Sequence, residues 1–273
     1  MSLTVIKIGG GEGIELEPVI HQCAALIGRG HRIVLVHGGS HETNVVSEQL
    51  GHPAQTITSP SGHTSRRTDR RTLEIFEMVY CGKINKSIVE QFQRLGVNAV
   101  GLSGIDGGIW RGERKNAIRA VEDGRTVIIR DDLSGRVETV NTQLLETLLD
   151  QGFTPVLTPP AISHDGVAIN VDADRAAAMT AVALGADELL LLSNVTGVRR
   201  FADDPESVIP SVADTGIDVV REAAHGRMKN KVLAAEEAIN GGVRRVVIGT
   251  ANGPEAIEQA RNGAGTVFEG VLV

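Results

Sequence analysis

Three glycine-containing loops follow strand-like segments of this 273-residue chain, namely 9–11, 38–39 and 103–104. Glycines in such loops let backbone N–H groups approach an anion closely, and the start of a following helix adds a favourable dipole. A single glycine pair is more often ordinary turn chemistry. Three such loops in one sheet favour an anion-binding edge.

Charged and amide side chains stand near the same loops. Lys7 interrupts the first apolar segment, where a lysine is costly unless its ammonium group reaches a partner or the strand is an exposed edge. Asn170, Asp172 and Asp174 alternate with apolar residues, so an extended backbone would put them on one face, and a helix N-cap is the alternative. Lys231 stands near another expected helix start, where a lone lysine is usually solvated.

Several classes of function are disfavoured. The sequence has no Gly-x-x-x-x-Gly-Lys-Ser/Thr loop, no complete dinucleotide motif, no zinc-type His/Cys spacing and no Gly-x-Ser-x-Gly elbow. A net charge of −7 argues against a general nucleic-acid binder. We expect Cys23 and Cys81 to be free thiols of a cytoplasmic protein, without a signal peptide or membrane span.

Short aliphatic runs alternate with helical patterns along the chain. This rhythm predicts an α/β fold with an open, mainly parallel sheet sandwiched by helices. Strands are predicted at 3–8, 32–36, 98–102, 154–158, 188–192 and 244–248. Helices are predicted at 15–29, 41–50, 72–95 with a break near Gly82, 141–151, 173–184, 228–240 and 254–262.

Residues 109–140, here called the flap, break this rhythm. Segments 126–130 and 136–140 flank a turn-like stretch, so we predict that they pair as an antiparallel hairpin. Residues 59–69 are predicted to form a polar loop, and a hairpin is expected near 164–166. Pro159-Pro160 is the best candidate for a boundary between two lobes, 1–160 and 161–273.

Five motifs occur in a fixed order over almost the whole chain. The sequence resembles the amino-acid kinase family, in its N-acetylglutamate kinase branch. The resemblance implies that the N-terminal lobe binds an acyl-amino acid and the C-terminal lobe binds ATP. The motifs are Lys7-Ile8-Gly9-Gly10, His37-Gly38-Gly39, Arg66-Arg67-Thr68-Asp69, Asn170-Val171-Asp172-Ala173-Asp174 and Met228-Lys229-Asn230-Lys231.

The resemblance also implies a role for each site residue. Lys7 and Lys231 would stabilise the transferring phosphoryl group, with Asp174 holding both lysines. We expect ATP to act as its Mg²⁺ complex, held by the phosphates with few or no protein ligands to the metal. The remaining implied contacts are backbone donors at Gly10, Gly38 and Gly39, substrate binding by Arg66 and Asn170, and a nucleotide loop containing Asn194 and Gly197.

Four positions depart from the usual N-acetylglutamate kinase pattern: Ser40, Asp172, Asn194 and Arg227. With 68–82 and 226–229, they resemble a sister subgroup that phosphorylates the side-chain carboxylate of 2-aminoadipate or glutamate. In that subgroup the amino group of the substrate is attached to a small acidic carrier protein, and the product serves lysine or arginine biosynthesis. N-acetylglutamate kinase of arginine biosynthesis is the alternative.

The distribution of basic residues favours a large anionic partner. The chain is acidic, yet it has three basic clusters near the expected site. A non-catalytic sensor or a carbamate or nucleotide kinase is less consistent with the motifs, and a homodimer is expected. The clusters are Arg66, Arg67, Arg70 and Arg71, then Arg111, Arg114, Lys115 and Arg119, then Arg227, Lys229 and Lys231.

Overall fold

The strands are described by a computed structural model that covers residues 2–60, 62, 64–122 and 124–270. They are β1 Leu3–Ile8, β2 Arg32–His37, β3 Thr56–Thr58, β4 Thr64–Arg66, β5 Ala99–Ser103, β6 Trp110–Arg114, β7 Ile118–Glu122, β8 Arg125–Ile129, β9 Gly135–Val140, β10 Thr154–Thr158, β11 Ala161–Ser163, β12 Ala168–Ile169, β13 Glu188–Ser193, β14 Arg245–Thr250 and β15 Thr266–Glu269.

The helices lie between these strands and cover the main sheet. A π-helical segment, Met78–Ile84, joins the helices Arg70–Glu77 and Asn85–Arg94, and a short 3₁₀ turn spans Asp106–Gly108. In the described part of the chain, no helix is both long and apolar enough to cross a bilayer. The helices are α1 Leu16–Gly28, α2 Ser40–Gln49, α3 Arg70–Glu77, α4 Asn85–Arg94, α5 Thr142–Asp150, α6 Ala173–Ala183, α7 Val212–Thr215, α8 Ile217–Ala223, α9 Met228–Asn240 and α10 Ala256–Arg261.

The main sheet has seven strands in the order β15-β14-β13-β1-β2-β10-β5. Every neighbouring pair in it is parallel except β14 and β15. Its central strands are runs of buried Val, Ile and Leu, as expected for a parallel sheet with both faces covered by helices. The predicted α/β class and the mainly parallel sheet are confirmed.

The flap differs from its predicted form. Strand β8 pairs with β7, and β9 pairs with β6, so 126–130 and 136–140 do not form a hairpin together. The cause lies between them, where the buried Asp132 carboxylate accepts the backbone N–H groups of Thr68 and Ser134 at 2.8 and 2.7 Å. The guanidinium of Arg114 donates to the carbonyls of Asp132 and Arg130. These bonds hold an irregular corner that sends the two strands to different partners.

Two further predictions change in detail. Residues 59–69 are not only a loop, because β4 pairs with β3 in a short antiparallel hairpin. Residues 72–94 are helical throughout, and the π segment around Gly82 replaces the expected break. The hairpin near 164–166 is confirmed by the pairing of β11 with β12. The division into lobes at Pro159-Pro160 stays a prediction.

The carboxyl ends of β13, β1 and β2 lie side by side in the sheet. In open α/β sheets, ligands bind beyond these strand ends. The loops 9–11, 38–39 and 194–197 therefore meet at one edge, which is where the functional residues are expected.

Candidate active site

A buried cluster of two lysines and one aspartate lies at this edge. The Lys7 ammonium lies 2.6 Å from one carboxylate oxygen of Asp174, and the Lys231 ammonium donates to both oxygens at 2.9 Å. The three residues are only 5%, 7% and 7% exposed, in the order Lys7, Asp174 and Lys231. We call them the charge cluster.

Three elements position the charge cluster, and a further aspartate, Asp172, joins two of these elements to each other. Lys7 lies at the carboxyl end of β1, while Asp174 and Lys231 lie in the first turns of α6 and α9. Asp172 caps α6 by accepting the backbone N–H of Arg175 at 3.0 Å, and its other oxygen accepts the Asn230 amide at 2.9 Å. The N-cap alternative therefore holds for Asp172, which ties the start of α6 to α9.

The charges of the cluster do not cancel. Burial alone would raise the pKa of Asp174, but the Lys231 and Lys7 ammonium groups outweigh it and hold that pKa well below its usual range. Burial lowers the pKa of Lys231, and the Asp174 carboxylate opposes that change. With one carboxylate facing two ammonium groups, the buried site has an excess positive charge that suits an anion.

The glycine loops approach each other more closely than side chains would allow. A Cβ atom at Gly10 would lie 1.9 Å from the Gly39 nitrogen and 2.4 Å from the Gly38 carbonyl carbon. A Cβ at Gly39 would lie 2.5 Å from Ile84. The loops after β1 and β2 therefore need glycine at these places, and their backbones line the edge together.

Two of the expected substrate residues, Arg66 and Asn170, lie near each other through Thr68. Arg66, at the end of β4, donates from Nη2 to the Ser40 carbonyl at 3.1 Å and also contacts Asn44. Its buried Nη1 has no acceptor within the described protein. The Asn170 amide donates to the Thr68 hydroxyl at 3.0 Å, two residues beyond Arg66.

The two residues expected on the nucleotide loop, Asn194 and Gly197, differ in their distance from the site. Asn194 lies beside the first glycine loop, where its amide donates to the Glu12 carbonyl at 3.2 Å. Packing explains the glycine at position 197, because a Cβ there would lie 2.8 Å from Val208 and 2.9 Å from the Thr266 hydroxyl. The structure brings Asn194 to the site and leaves Gly197 behind it, in contact with β15.

Sequence reasoning missed three contributors to this site. Ser193 ends β13, and its buried hydroxyl has no partner among the described residues. Asp132 holds Thr68, and Tyr80 packs its ring against the Gly39 backbone from the π segment. A serine directly after an apolar strand was a usable signal for Ser193, whereas Asp132 and Tyr80 depend on distant pairing.

The described residues contain no group of three or more His, Cys, Asp or Glu side chains that could hold a metal ion. The thiols of Cys23 and Cys81 are free, as expected. Burial raises the pKa of the Cys23 thiol to about 12, which makes it an inert core residue.

The model of the amino acid kinase family matches residues 2–250. The chain belongs to the amino acid kinase family. It is 55% identical to LysW-aminoadipate kinase of Deinococcus radiodurans, with 98% of this chain and 91% of the relative covered. The LysW-aminoadipate kinase of Thermus thermophilus is 48% identical, with 97% and 99% covered. Acetylglutamate kinase of Methanopyrus kandleri is 38% identical, with 90% and 94% covered. The expected family and the expectation of a kinase are confirmed.

Solved structures show the same fold at low sequence identity. Carbamate kinase from Giardia lamblia bound to AMP-PNP aligns with a TM-score of 0.68 at 16% identity, covering 98% of each chain. N-acetylglutamate synthase from Neisseria gonorrhoeae aligns with a TM-score of 0.75 at 23% identity, covering all of this chain and 60% of the other. These likenesses confirm the amino acid kinase fold.

Proposed function

We propose that the chain transfers the γ-phosphoryl group of ATP to the side-chain carboxylate of 2-aminoadipate, or of glutamate, attached to a small acidic carrier protein. The observation that carries the chemistry is the buried charge cluster, in which one carboxylate orients two ammonium groups at the glycine-lined edge. The names of the relatives from Deinococcus radiodurans and Thermus thermophilus support the carrier-linked substrate.

The reaction needs positioning and charge neutralisation more than covalent help from the protein. A carboxylate oxygen of the substrate forms a bond to the γ-phosphorus while the bond to the β-phosphate oxygen breaks, and ADP leaves. A carboxylate is already a nucleophile, so no general base is required. Lys7 and Lys231 would stabilise the charge on the phosphoryl oxygens, and Asp174 would keep both ammonium groups aimed at it.

The residues present fit a bound nucleotide. Only backbone fits where Gly10 meets Gly39. The Gly38 N–H, one of the three expected donors, already donates to the Ile8 carbonyl at 2.9 Å, so the backbone donors proposed for phosphate oxygens are those of Gly10 and Gly39. The unpaired Ser193 hydroxyl at the same edge is a further donor. Mg²⁺ would neutralise the phosphates and be held mainly by them.

Arg66 and Asn170 would hold the substrate. The unpaired Nη1 of Arg66 can complete a paired contact with the α-carboxylate of the amino acid. Asn170 reaches the same region through Thr68. The two-lobe division of labour, the homodimer, the cytoplasmic location and the absence of nucleic-acid or membrane partners stay predictions.

The test compares three acceptors with ATP and Mg²⁺: carrier-linked 2-aminoadipate, carrier-linked glutamate and N-acetylglutamate. Hydroxylamine traps an acyl phosphate as a hydroxamate, and this product should form fastest with a carrier-linked acceptor. Turnover should stop with excess chelator and resume with added Mg²⁺. Turnover of N-acetylglutamate alone would make the chain an N-acetylglutamate kinase, the activity named for its Methanopyrus kandleri relative.

A further inference from the structure

The flap corner, residues 132–135, holds both backbone polar groups of Thr68. The Asp132 carboxylate accepts the Thr68 N–H at 2.8 Å, and the Leu133 N–H donates to the Thr68 carbonyl at 2.7 Å. Thr68 is fully buried and follows Arg66 by two residues. The flap corner therefore fixes the chain directly after the arginine that is proposed to bind the acceptor.

The flap corner also holds Asn170. The Asn170 N–H donates to the Leu133 carbonyl at 2.8 Å, and the Gly135 N–H donates to the Asn170 carbonyl at 2.8 Å. The Asn170 side-chain amide then donates to the Thr68 hydroxyl at 3.0 Å, and that hydroxyl donates to the Arg66 carbonyl at 3.4 Å. The two residues proposed to bind the acceptor are thus joined to each other through Thr68, and both are tied to the same corner.

The Asp132 carboxylate is the group in this corner that another side chain replaces least well. It is only 1% exposed, and its second oxygen accepts the Ser134 N–H at 2.7 Å. A buried carboxylate is costly unless hydrogen bonds compensate it, and here two backbone N–H groups do so. A carboxamide could accept only one of these bonds, because its NH₂ group would face the other N–H. The negative charge is therefore needed to hold Thr68 and the corner at once.

We propose that Asp132 is a positioning residue for the acceptor, which through Thr68 holds Arg66 and Asn170 at the separation that the acceptor needs. The proposal rests on the proposed function, because it concerns the same acceptor site. Asn194, the residue expected near the nucleotide, follows β13 and bonds to the Glu12 carbonyl, outside this set of bonds. Loss of Asp132 should therefore weaken the binding of the acceptor and leave the binding of ATP unchanged.

Two variants interrupt the set of bonds at different points. Asp132→Asn removes one of the two backbone contacts, and Thr68→Val keeps the shape of the side chain but removes the hydroxyl that accepts the Asn170 amide. Thr68→Ser restores the hydroxyl. The matched control is Asp131→Asn, the same change at a neighbouring aspartate whose carboxylate is exposed. KM for the acceptor, KM for ATP and kcat are measured with whichever of the three acceptors named above the wild type turns over fastest.

Asp132→Asn and Thr68→Val should each raise KM for the acceptor about tenfold, with KM for ATP within about twofold and kcat within about threefold of wild type. The two changes together should raise KM by less than the product of the single effects, because both act through Thr68. Thr68→Ser and Asp131→Asn should stay within about twofold of wild type in both KM values.

A variant with a weakened core separates positioning from loss of stability. Phe92 is fully buried in α4, and Phe92→Leu should lower the urea midpoint without changing either KM. Equal rises in KM for the acceptor and for ATP would overturn the proposal. If Asp132→Asn does not fold, an unchanged KM for the acceptor in Thr68→Val would overturn it as well. Lack of wild-type turnover with all three acceptors would instead refute the proposed function itself.

Discussion

At the scale of single residues, the charge cluster gains its reactivity from an imbalance. Lys7 and Asp174 form one neutral pair, and Lys231 adds a positive charge that the protein leaves to a ligand. Removing the Asp174 carboxylate and removing the excess charge of Lys231 should therefore have different effects on stability, although both should harm catalysis.

We expect Lys231→Met to lower kcat on the order of a hundredfold or more while leaving the fold stable, because Lys7 still pairs with Asp174. Asp174→Asn should be as harmful to kcat, and it should also lower the free energy of unfolding by about 3–5 kcal/mol, because two buried ammonium groups lose their partner. Urea unfolding and steady-state kinetics measure both. Turnover within tenfold of wild type in Lys231→Met would contradict the assigned role.

His37 offers a pH-dependent prediction. Its Nδ1–H donates to the Gly38 carbonyl at 2.9 Å, and its Nε2 accepts the Asn85 amide at 3.1 Å, so the buried ring is neutral. Burial lowers its pKa from 6.5 to about 4, with the nearby Lys7 ammonium also lowering it and the Gly38 carbonyl opposing. Below pH 6.5 the unfolded chain binds a proton that the folded chain refuses until about pH 4, so stability falls across that range.

Through His37 alone, the free energy of unfolding should fall by about 2 kcal/mol as the pH is lowered from 8 to 5. Urea unfolding at both pH values checks the size of the effect. The His37→Gln variant should lose that share of the pH dependence, whatever its stability at pH 8. The control His225→Gln alters an exposed ring and should keep the wild-type dependence. Equal pH dependence in wild type and His37→Gln would show that His37 is not the group responsible.

At the scale of elements, the site depends on two loops that touch through their backbones. Gly10→Ala would place a Cβ 1.9 Å from the Gly39 nitrogen, so the loops must separate. We expect kcat/KM to fall a hundredfold or more, with about 1–3 kcal/mol lost in stability. Gly11→Ala is the matched control, because the nearest heavy atom to its Cβ is the Asn194 amide at 3.9 Å. Similar losses in both variants would mean that close approach is not the reason for Gly10.

The sequence predicted those elements whose signal is local. Aliphatic runs located β1, β2 and β13, and the glycines after β1 and β2 marked the edge of the sheet. The pairing of β8 with β7 was not predictable from the turn-like residues 131–135, because Asp132 and Arg114 decide it through bonds to distant segments. Likewise, Lys7 and Lys231 were each ambiguous alone, and only the fold brings them to Asp174.

At the scale of the whole molecule, basic side chains are exposed on a chain of net charge −7. The hairpin of β7 and β8 packs on β3 through Ile57, Ala120 and Ile129, and β3 pairs with the strand that ends at Arg66. Arg119 lies opposite Ile128 in this hairpin, and both are exposed. Arg114 is a poorer site for a docking test, because its guanidinium holds the carbonyls of Asp132 and Arg130.

Arg119 should therefore report on the approach of an acidic carrier. We expect Arg119→Glu to raise KM for the carrier-linked acceptor several-fold at 0.05 M salt, with KM for ATP unchanged, because charges at a protein–protein rim mainly affect association. The defect should shrink at 0.3 M salt, where the Debye length falls below about 8 Å. Steady-state kinetics at both salt concentrations measures this.

The control is Arg29→Glu, an equally exposed charge reversal just before β2, at the opposite end of that strand from the glycine loops. It changes the net charge of the enzyme by the same amount, so any effect of overall charge would appear in both variants. A defect confined to Arg119→Glu and screened by salt would place the carrier at the flap. Equal effects in the two variants, or a defect that salt leaves unchanged, would mean that the carrier docks elsewhere.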